Sequence, residues 1–340
     1  MTILVTGAAG FIGSELVRQL RSRWRARRVV SFDKLSYCGL RRNLAELDED
    51  PGHGFVEGDV ASLEDVERVF EEHEPTAVIH LAAESHVDRS LHDPLTFVRT
   101  NVLGTATLLH VAAQRWQGRR DVRFHHVSTD EVFGELGPEG RFDERSCYAP
   151  NNPYSASKAG ADHLVRAWAR CHGLASVISY SANNYGPRQF PDKLIPVVIG
   201  CAIDRRPVPV YGQGEQVRDW LFVADHCAGL IAAFERGRPG ASYSFAADHE
   251  RSNLALVHEL LDAFDRATGR PPGDSRALVE FVEDRPGHDF RYALDASRTR
   301  AELGWQPATA LAEGLARTVD WYLHNPEWLD EARAALAASR

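Results

Sequence analysis

No run of apolar residues in this chain approaches the length of a membrane span, and no basic segment precedes an apolar core at its start. It opens Met-Thr-Ile-Leu-Val, already a strand pattern, so neither a membrane anchor nor a signal peptide is expected. No two cysteines form a CxxC pair, and their number is odd: Cys38, Cys147, Cys171, Cys201 and Cys227. Reduced thiols of a cytoplasmic protein are therefore expected rather than a disulfide frame or a zinc site, and no metal is assigned. Positive charge is not in excess. A net charge of −9 argues against nucleic acid as a partner. It leaves an anionic small ligand possible, because local lysines and arginines decide that. Internal repeats and low-complexity segments are also missing. What remains is 340 residues, 44% hydrophobic and 26% charged, enough for one large α/β unit or a domain with a smaller lobe.

Ile3-Leu4-Val5 reads as a buried strand running into Gly7, Gly10 and Gly13, then a helical pattern through Leu16, Val17 and Leu20. A glycine triplet alone is weak evidence. Between a strand and a helix it allows a tight turn and offers helix N–H groups to a pyrophosphate. A second strand, Val29 to Phe32, ends on Asp33, 20 residues past Gly13, where an acid accepts from an adenosine ribose hydroxyl. Such an acid favours NAD over NADP, a preference that Lys34 and Arg41 weaken slightly. A third strand, 54–57, leads to Asp59, placed to meet the adenine amino group. A fourth, 77–81, delivers Ala82, Ala83, Glu84, Ser85 and His86, whose small members let a cofactor lie against the backbone. The segment 94–114 is expected to be one helix with Val98, Val102 and Leu109 on one face.

The fifth strand, Val122 to Val127, carries the stretch on which the chemistry turns. A hydroxyl, Thr129, and two adjacent carboxyls, Asp130 and Glu131, follow its C-terminal end, where an open parallel sheet holds its ligands. Tyr154 and Lys158 stand four apart, on one face of a helix expected to run to about His172 and to be buried through Leu164, Val165 and Trp168. An ammonium beside a phenol stabilises the phenolate, so Tyr154 can act as a base. A sixth strand, 177–180, ends in Asn183 and Asn184. Five strand–helix alternations imply a parallel sheet with helices on both faces. Past residue 181 prolines, charges and short apolar pieces replace the regular alternation. A helix over 222–234 and a last strand over 241–245 return to the first domain. A helix from Asn253 to about Phe264 and C-terminal helices from Leu303 follow, with Trp305 and Trp321 packed. The expected fold is α/β: a Rossmann-type doubly wound parallel sheet with a smaller, discontinuous α/β lobe. The dinucleotide domain is 1–180 plus about 219–246, and the lobe is 181–218 plus about 247–335.

The strings Ala82–Ser90, Ser128–Gly134, Pro153–Lys158, Asn183–Pro187, Lys193–Pro196, Arg218–Trp220 and Asp284–His288, with the glycine triplet, resemble the extended short-chain dehydrogenase/reductase (NAD-dependent epimerase/dehydratase) family over nearly the whole chain. The adjacent Asp130-Glu131 pair is most similar to its nucleotide-sugar 4,6-dehydratases. The resemblance implies catalytic roles for Thr129, Asp130, Glu131, Tyr154 and Lys158. It places Gly7, Gly10, Phe11, Ile12, Gly13, Asp33, Lys34, Ser36, Gly39, Asp59, Val60, Leu81, Ala82, Ala83, Thr100, Ser128, Tyr154, Lys158 and Asn183 at a tightly held, recycled NAD. It places Glu84, Ser85, Thr129, Asn184, Lys193, Leu194, Pro209, Tyr211, Arg218, Asn253, Arg285 and His288 at the nucleotide sugar.

The implied substrate is dTDP-glucose. Tyr154, its pKa lowered by Lys158 and the nicotinamide charge, takes the C4 hydroxyl proton, with Thr129 on the C4 oxygen. Glu131 removes the C5 proton, and Asp130 protonates the departing C6 hydroxyl. A homodimer through a four-helix bundle of segments 94–114 and 154–172 is implied too. His86 and Arg89 read as structural. Phe133, Tyr180 and Cys38 depart from the family's usual tyrosine, arginine and alanine, which leaves the nucleotide sugar open. A UDP-hexose dehydratase or a 4-epimerase on the same scaffold stays as an alternative, and a non-catalytic NAD-binding regulator as a remote one.

Overall fold

A computed structural model describes residues 1–284 and 287–339. Its first half alternates strand and helix: β1 (Thr2–Thr6), α1 (Phe11–Arg23), β2 (Arg28–Asp33), β3 (His53–Glu57), α2 (Leu63–His73) and β4 (Ala77–His80). Then come α3 (Val87–His92), α4 (Pro94–Phe97), a π-helical turn (Val98–Leu103), α5 (Gly104–Arg115), β5 (Arg123–Val127), α6 (Pro153–His172) and β6 (Ser176–Ser181). The second half is less regular: β7 (Asn183–Tyr185), α7 (Leu194–Asp204), β8 (Val208–Tyr211), β9 (Val217–Phe222), α8 (Val223–Arg236), β10 (Ser242–Phe245), β11 (Glu250–Ser252) and α9 (Asn253–Thr268). It ends with β12 (Val279–Val282), α10 (Ser297–Leu303), α11 (Leu311–His324) and α12 (Pro326–Ala338).

Seven strands form one parallel sheet in the order β10-β6-β5-β4-β1-β2-β3. Strand order reverses between β1 and β4, the switch point where such sheets hold ligands. Ile3, Leu4 and Val5 of β1 are fully buried, as an apolar run covered on both faces requires. Two separate apolar clusters, one holding Ile3 and Val5 and the other Leu4, cover the two faces. The α/β, doubly wound expectation holds. A three-stranded sheet, β11-β9-β7, and a parallel pair, β12-β8, build the smaller part, whose core joins Ile199, Trp220, Leu260 and Trp328.

Two element expectations need correction. Segment 94–114 is not one regular helix: α4, the π turn and α5 follow one another, and Val98 is 49% exposed while Leu109 is fully buried. A π turn inserts an extra residue and rotates the following face, so a 3.6-residue period cannot run through it. Segment 241–245 is the edge strand of the large sheet but not the last strand, because β11 and β12 follow it. Trp305 is buried and its indole N–H donates to the Asp225 carbonyl at 2.9 Å, and Trp321 packs edge-on against Tyr322 and Trp328. Among the described residues no helix is long and apolar enough to cross a membrane, and no group of three His, Cys, Asp or Glu could hold a metal ion. Each of the five cysteines is a free thiol.

Candidate active site

A cleft opens at the C-terminal ends of β1, β2, β4, β5 and β6. It encloses about 1550 Å³ including its mouth.

One end is shaped for a dinucleotide. Gly7 turns the chain out of β1 at φ +66°, and a Cβ there would strike the Ala82 backbone at 2.7–2.8 Å. Gly13 is as constrained: its Cβ would sit 2.1 Å from the Gly7 carbonyl oxygen. Gly10 caps α1 without a side-chain hydrogen bond, and no acid stands in the first turn, so the leading N–H groups are left for an anion. Asp33 accepts from Ala9 N at 2.9 Å and Leu35 N at 2.8 Å, which fixes its carboxylate at the end of β2. Burial pushes its pKa up, against the pull of those two backbone donors. Of the residues assigned to the cofactor, all line this cleft except Asp59. Asp59 accepts from Ala61 N at 2.8 Å and shapes the turn, while its neighbours Gly58 and Val60 form the wall.

The middle of the cleft holds the proton-handling set. Thr129, Asp130, Glu131, Tyr154 and Lys158 all lie on its wall. Thr129 caps the 3-10 turn Asp130–Phe133: its Oγ1 accepts from Glu131 N at 3.3 Å and donates to Asp130 Oδ1 at 3.2 Å. Burial, then the adjacent charge of Glu131, pushes Asp130 up to about 8. Arg218 and the Thr129 hydroxyl pull the other way. Its surroundings thus favour the protonated form of Asp130.

Lys158 reaches back to the strand and donates from Nζ to the Val127 carbonyl at 2.7 Å. Burial pushes it down to about 8, opposed by the charge of Asp162. The lowering expected for Tyr154 invokes the nicotinamide charge as well as Lys158, and the protein's own groups act the other way. Burial, then the charge of Glu131, holds Tyr154 above the ordinary phenol range. The Lys158 ammonium is engaged by Val127, and a desolvated phenol flanked by two carboxyls resists ionisation.

Behind this set lies a buried polar layer that the sequence did not announce. Asp162, one turn after Lys158, accepts from Ser128 Oγ at 2.8 Å and Tyr148 OH at 2.7 Å, and lies 3.1 Å from His126 Nε2. Arg166 donates to both Tyr148 (2.8 Å) and Tyr180 (2.5 Å). Tyr180, the departure from arginine, thus meets a guanidinium delivered from α6. Phe133 packs edge-on against Tyr148 and Tyr180 at 5.4 and 4.8 Å, so an aromatic ring suffices there. Asn101, in the π turn, was also unassigned. It accepts from Glu84 N at 2.8 Å and donates to Glu84 O at 3.0 Å and Ser157 Oγ at 2.8 Å, tying the loop after β4 to α6.

Residues assigned to the substrate fall into two groups. Ser85, Thr129, Asn184 and Lys193 line the cleft, and Lys193 Nζ donates to the Ser85 carbonyl at 3.0 Å. Glu84 stands behind the wall, paired with Lys34 at 3.3 Å. Leu194, Pro209, Tyr211, Arg218, Asn253 and His288 are not on the cleft wall. Pro209 and Tyr211 share the exposed side of β8, and Tyr211 meets His288 edge-on at 6.2 Å. Asn253 opens α9 and Leu194 opens α7. Arg218 is buried, donates to the Asp289 carbonyl at 2.8 Å and lies over the Tyr292 ring at 4.3 Å. Arg285 lies outside the described residues. Tyr37, Cys38, Gln189, Phe190 and Asp192 line the cleft without having been assigned to it. Their signal was position alone: the loop after Asp33 and the stretch before Lys193. His86 caps α3, and Arg89 covers the Tyr37 ring at 3.9 Å, both structural as expected.

Residues 4–318 match the family model described as GDP-mannose 4,6 dehydratase. A dTDP-glucose 4,6-dehydratase of Xanthomonas campestris is 49% identical over 334 residues, 96% of this chain and 95% of that one. The enzyme of the same name from Salmonella typhimurium is 43% identical, covering 98% and 96%. Among solved structures, the dTDP-glucose 4,6-dehydratase DesIV of Streptomyces venezuelae, crystallised with NAD and a second ligand, superposes with a TM-score of 0.91 at 43% identity, covering 98% of this chain and all of that one. The Bacillus anthracis enzyme in complex with NAD gives 0.88 at 36% identity, covering 98% and 99%.

Proposed function

This chain belongs to the GDP-mannose 4,6 dehydratase family within the NAD-dependent epimerases and dehydratases, and from that premise we propose that it is a dTDP-glucose 4,6-dehydratase. It converts dTDP-glucose to dTDP-4-keto-6-deoxyglucose and water, in deoxysugar biosynthesis. The observation that carries the reading is the adjacent pair Asp130 and Glu131 at the end of a strand that also presents Thr129, on one cleft wall with Tyr154 and Lys158. Dehydration needs an acid and a base at neighbouring carbons. Two adjacent carboxyls serve both roles only if the environment splits their pKa values.

NAD, when bound, supplies a hydride acceptor for C4 and a donor for C6, so it is a recycled catalyst. The uncapped α1 terminus, the cradle at Gly7 and the fixed Asp33 carboxylate would hold it. Tyr154 takes the C4 hydroxyl proton, with Thr129 placed on the C4 oxygen. Its high pKa makes it a poor base until a positive charge stands beside it, which sets a requirement on Lys158 and the nicotinamide ring. The ketone at C4 acidifies C5–H, and Glu131 removes that proton. Asp130 delivers its proton to the departing C6 hydroxyl, and a proton adds back at C5 when the C5–C6 double bond is reduced. Ser85, Asn184 and Lys193 hold the nucleotide sugar at the cleft, and Leu194, Pro209, Tyr211, Arg218, Asn253 and His288 hold it from the lobe. The dinucleotide domain is 1–180 with about 219–246, and the remainder binds substrate.

A cytoplasmic homodimer completes the reading. Leu91, Leu95, Val98 and Leu103 leave an apolar row exposed along α3, α4 and the π turn, beside α6. A second copy packing segment 94–114 and α6 against its own pair would cover that row in a four-helix bundle. Mass spectrometry of the purified protein with dTDP-glucose, with UDP-glucose in parallel and no added NAD, tests the function. Loss of one water from the dTDP sugar is the expected result. Loss from the UDP sugar instead would change the nucleobase, and no change of mass with a C4 epimer appearing by chromatography would overturn the dehydratase.

A further inference from the structure

His226 on α8 is fully buried, and no step of the mechanism uses it. Its Nδ1 lies 2.9 Å from Asn184 Oδ1, and its Nε2 has no hydrogen-bond partner among the described residues. Asn184 is a cleft residue, and its Nδ2 donates to the Ala182 carbonyl at 3.0 Å. Its backbone carbonyl is held as well, by Gln189 Nε2 at 2.9 Å.

These contacts assign the protons. A carbonyl only accepts, so the Asn184 amino group must face Ala182 and its oxygen must face His226. Nδ1 must then carry the imidazole proton and donate it. Burial supports the neutral ring, pushing His226 down to about 3. Nε2 is left as a bare lone pair beside the Phe245 ring, whose centroid lies 5.8 Å away. An unpartnered buried acceptor is a cost that a hydrocarbon of the same shape would not incur. The histidine is therefore accounted for by what Nδ1 does.

We propose that His226 is a positioning residue that locks the Asn184 amide with its nitrogen as the cleft-facing group, so that the second amino hydrogen donates to the diphosphate of the nucleotide sugar. This rests on the dehydratase reading for the identity of the ligand. Lys193 also lines the cleft, where its Nζ donates to the Ser85 carbonyl at 3.0 Å and lies 4.0 Å from the Asp192 carboxylate. Without the Nδ1–H only the Ala182 carbonyl still orients the amide, and an amide that turns presents an oxygen to the anion.

Two substitutions separate this role from simple packing. In His226→Asn the side-chain amide can place a donor where Nδ1 stands. In His226→Gln the donor moves towards the Nε2 side, where nothing accepts. The KM for dTDP-glucose should rise about tenfold in His226→Gln with kcat within about twofold, and should stay near wild type in His226→Asn. Thermal shift of the holoprotein with dTDP alone provides a readout that needs no turnover: the dTDP-induced rise should shrink in His226→Gln and persist in His226→Asn. Equal dTDP shifts in all three proteins, or equal losses of kcat in both variants, would overturn the positioning role. Failure of the wild type to turn over dTDP-glucose would count against the substrate assignment, while the dTDP shifts would still decide the role of His226.

Discussion

Asp130 and Glu131 are neighbours on one short turn, and the charge of Glu131, added to burial, holds the Asp130 carboxyl near 8. The pair thus divides labour through its surroundings. The same coupling gives Asp130 a signature in stability. Its ordinary value is 3.8, so between there and about 8 the folded chain keeps a proton that the unfolded chain has released. Stability from this group is lost as pH rises through that window. Asp130→Asn removes the titration, so its Tm relative to wild type should rise between about pH 4.5 and about pH 7.5, by a few degrees. A constant Tm difference across that range would contradict the raised pKa.

Asp130→Asn also cannot protonate the departing hydroxyl. Its kcat should fall by about 10²–10⁴. Wild-type kcat should decline on the alkaline side as Asp130 ionises near 8. Stopped-flow and steady-state pH profiles check both.

Glu131→Gln should separate oxidation from elimination. The variant should still show a transient NADH absorbance with dTDP-glucose, yet release dehydrated product at least about 100-fold more slowly. Dehydration at the normal rate would remove Glu131 from its role as base.

Asn101 offers a prediction about architecture. Asn101→Leu leaves Glu84 N and O without the partners they have at 2.8 and 3.0 Å. Each orphaned group costs about 1–3 kcal/mol, so a clear fall in Tm is expected, with a raised KM because the loop carries Ser85. A Tm within error of wild type would show that the loop does not depend on this tie.

What could be read from the chain beforehand was chemistry carried by adjacent residues. The glycine turn, Asp33, the Thr129–Glu131 stretch and the Tyr154–Lys158 pair are each local, and the structure brings all of them to one cleft. The dependence of Asn101 on Glu84 spans 17 positions and that of His226 on Asn184 spans 42, so no spacing rule could link them. The helix over 94–114 misled because a π turn has no signature in hydrophobic period, and Val98 turned outward as a result. The lowering of Tyr154 was expected from Lys158, its helical neighbour, together with the nicotinamide charge. Burial of the cleft is a tertiary property, and it outweighs that neighbour.

The exposed row predicts self-association. Leu95, 77% exposed, and Val98 lie on it, and Leu95→Asp with Val98→Asp should convert a dimer to monomer in analytical ultracentrifugation while leaving the fold intact by circular dichroism. A wild-type monomer at micromolar concentration would contradict the dimer.

The central claim is that hydride leaves C4 and returns to C6 within one bound cofactor. Turnover of dTDP-glucose carrying deuterium at C4, with no NAD added, tests it most directly. The expected product has lost one water and carries the deuterium in its C6 methyl group, found by mass spectrometry and NMR. Deuterium back at C4 on an intact hexose, or deuterium missing from the methyl group of the dehydrated product, would contradict it.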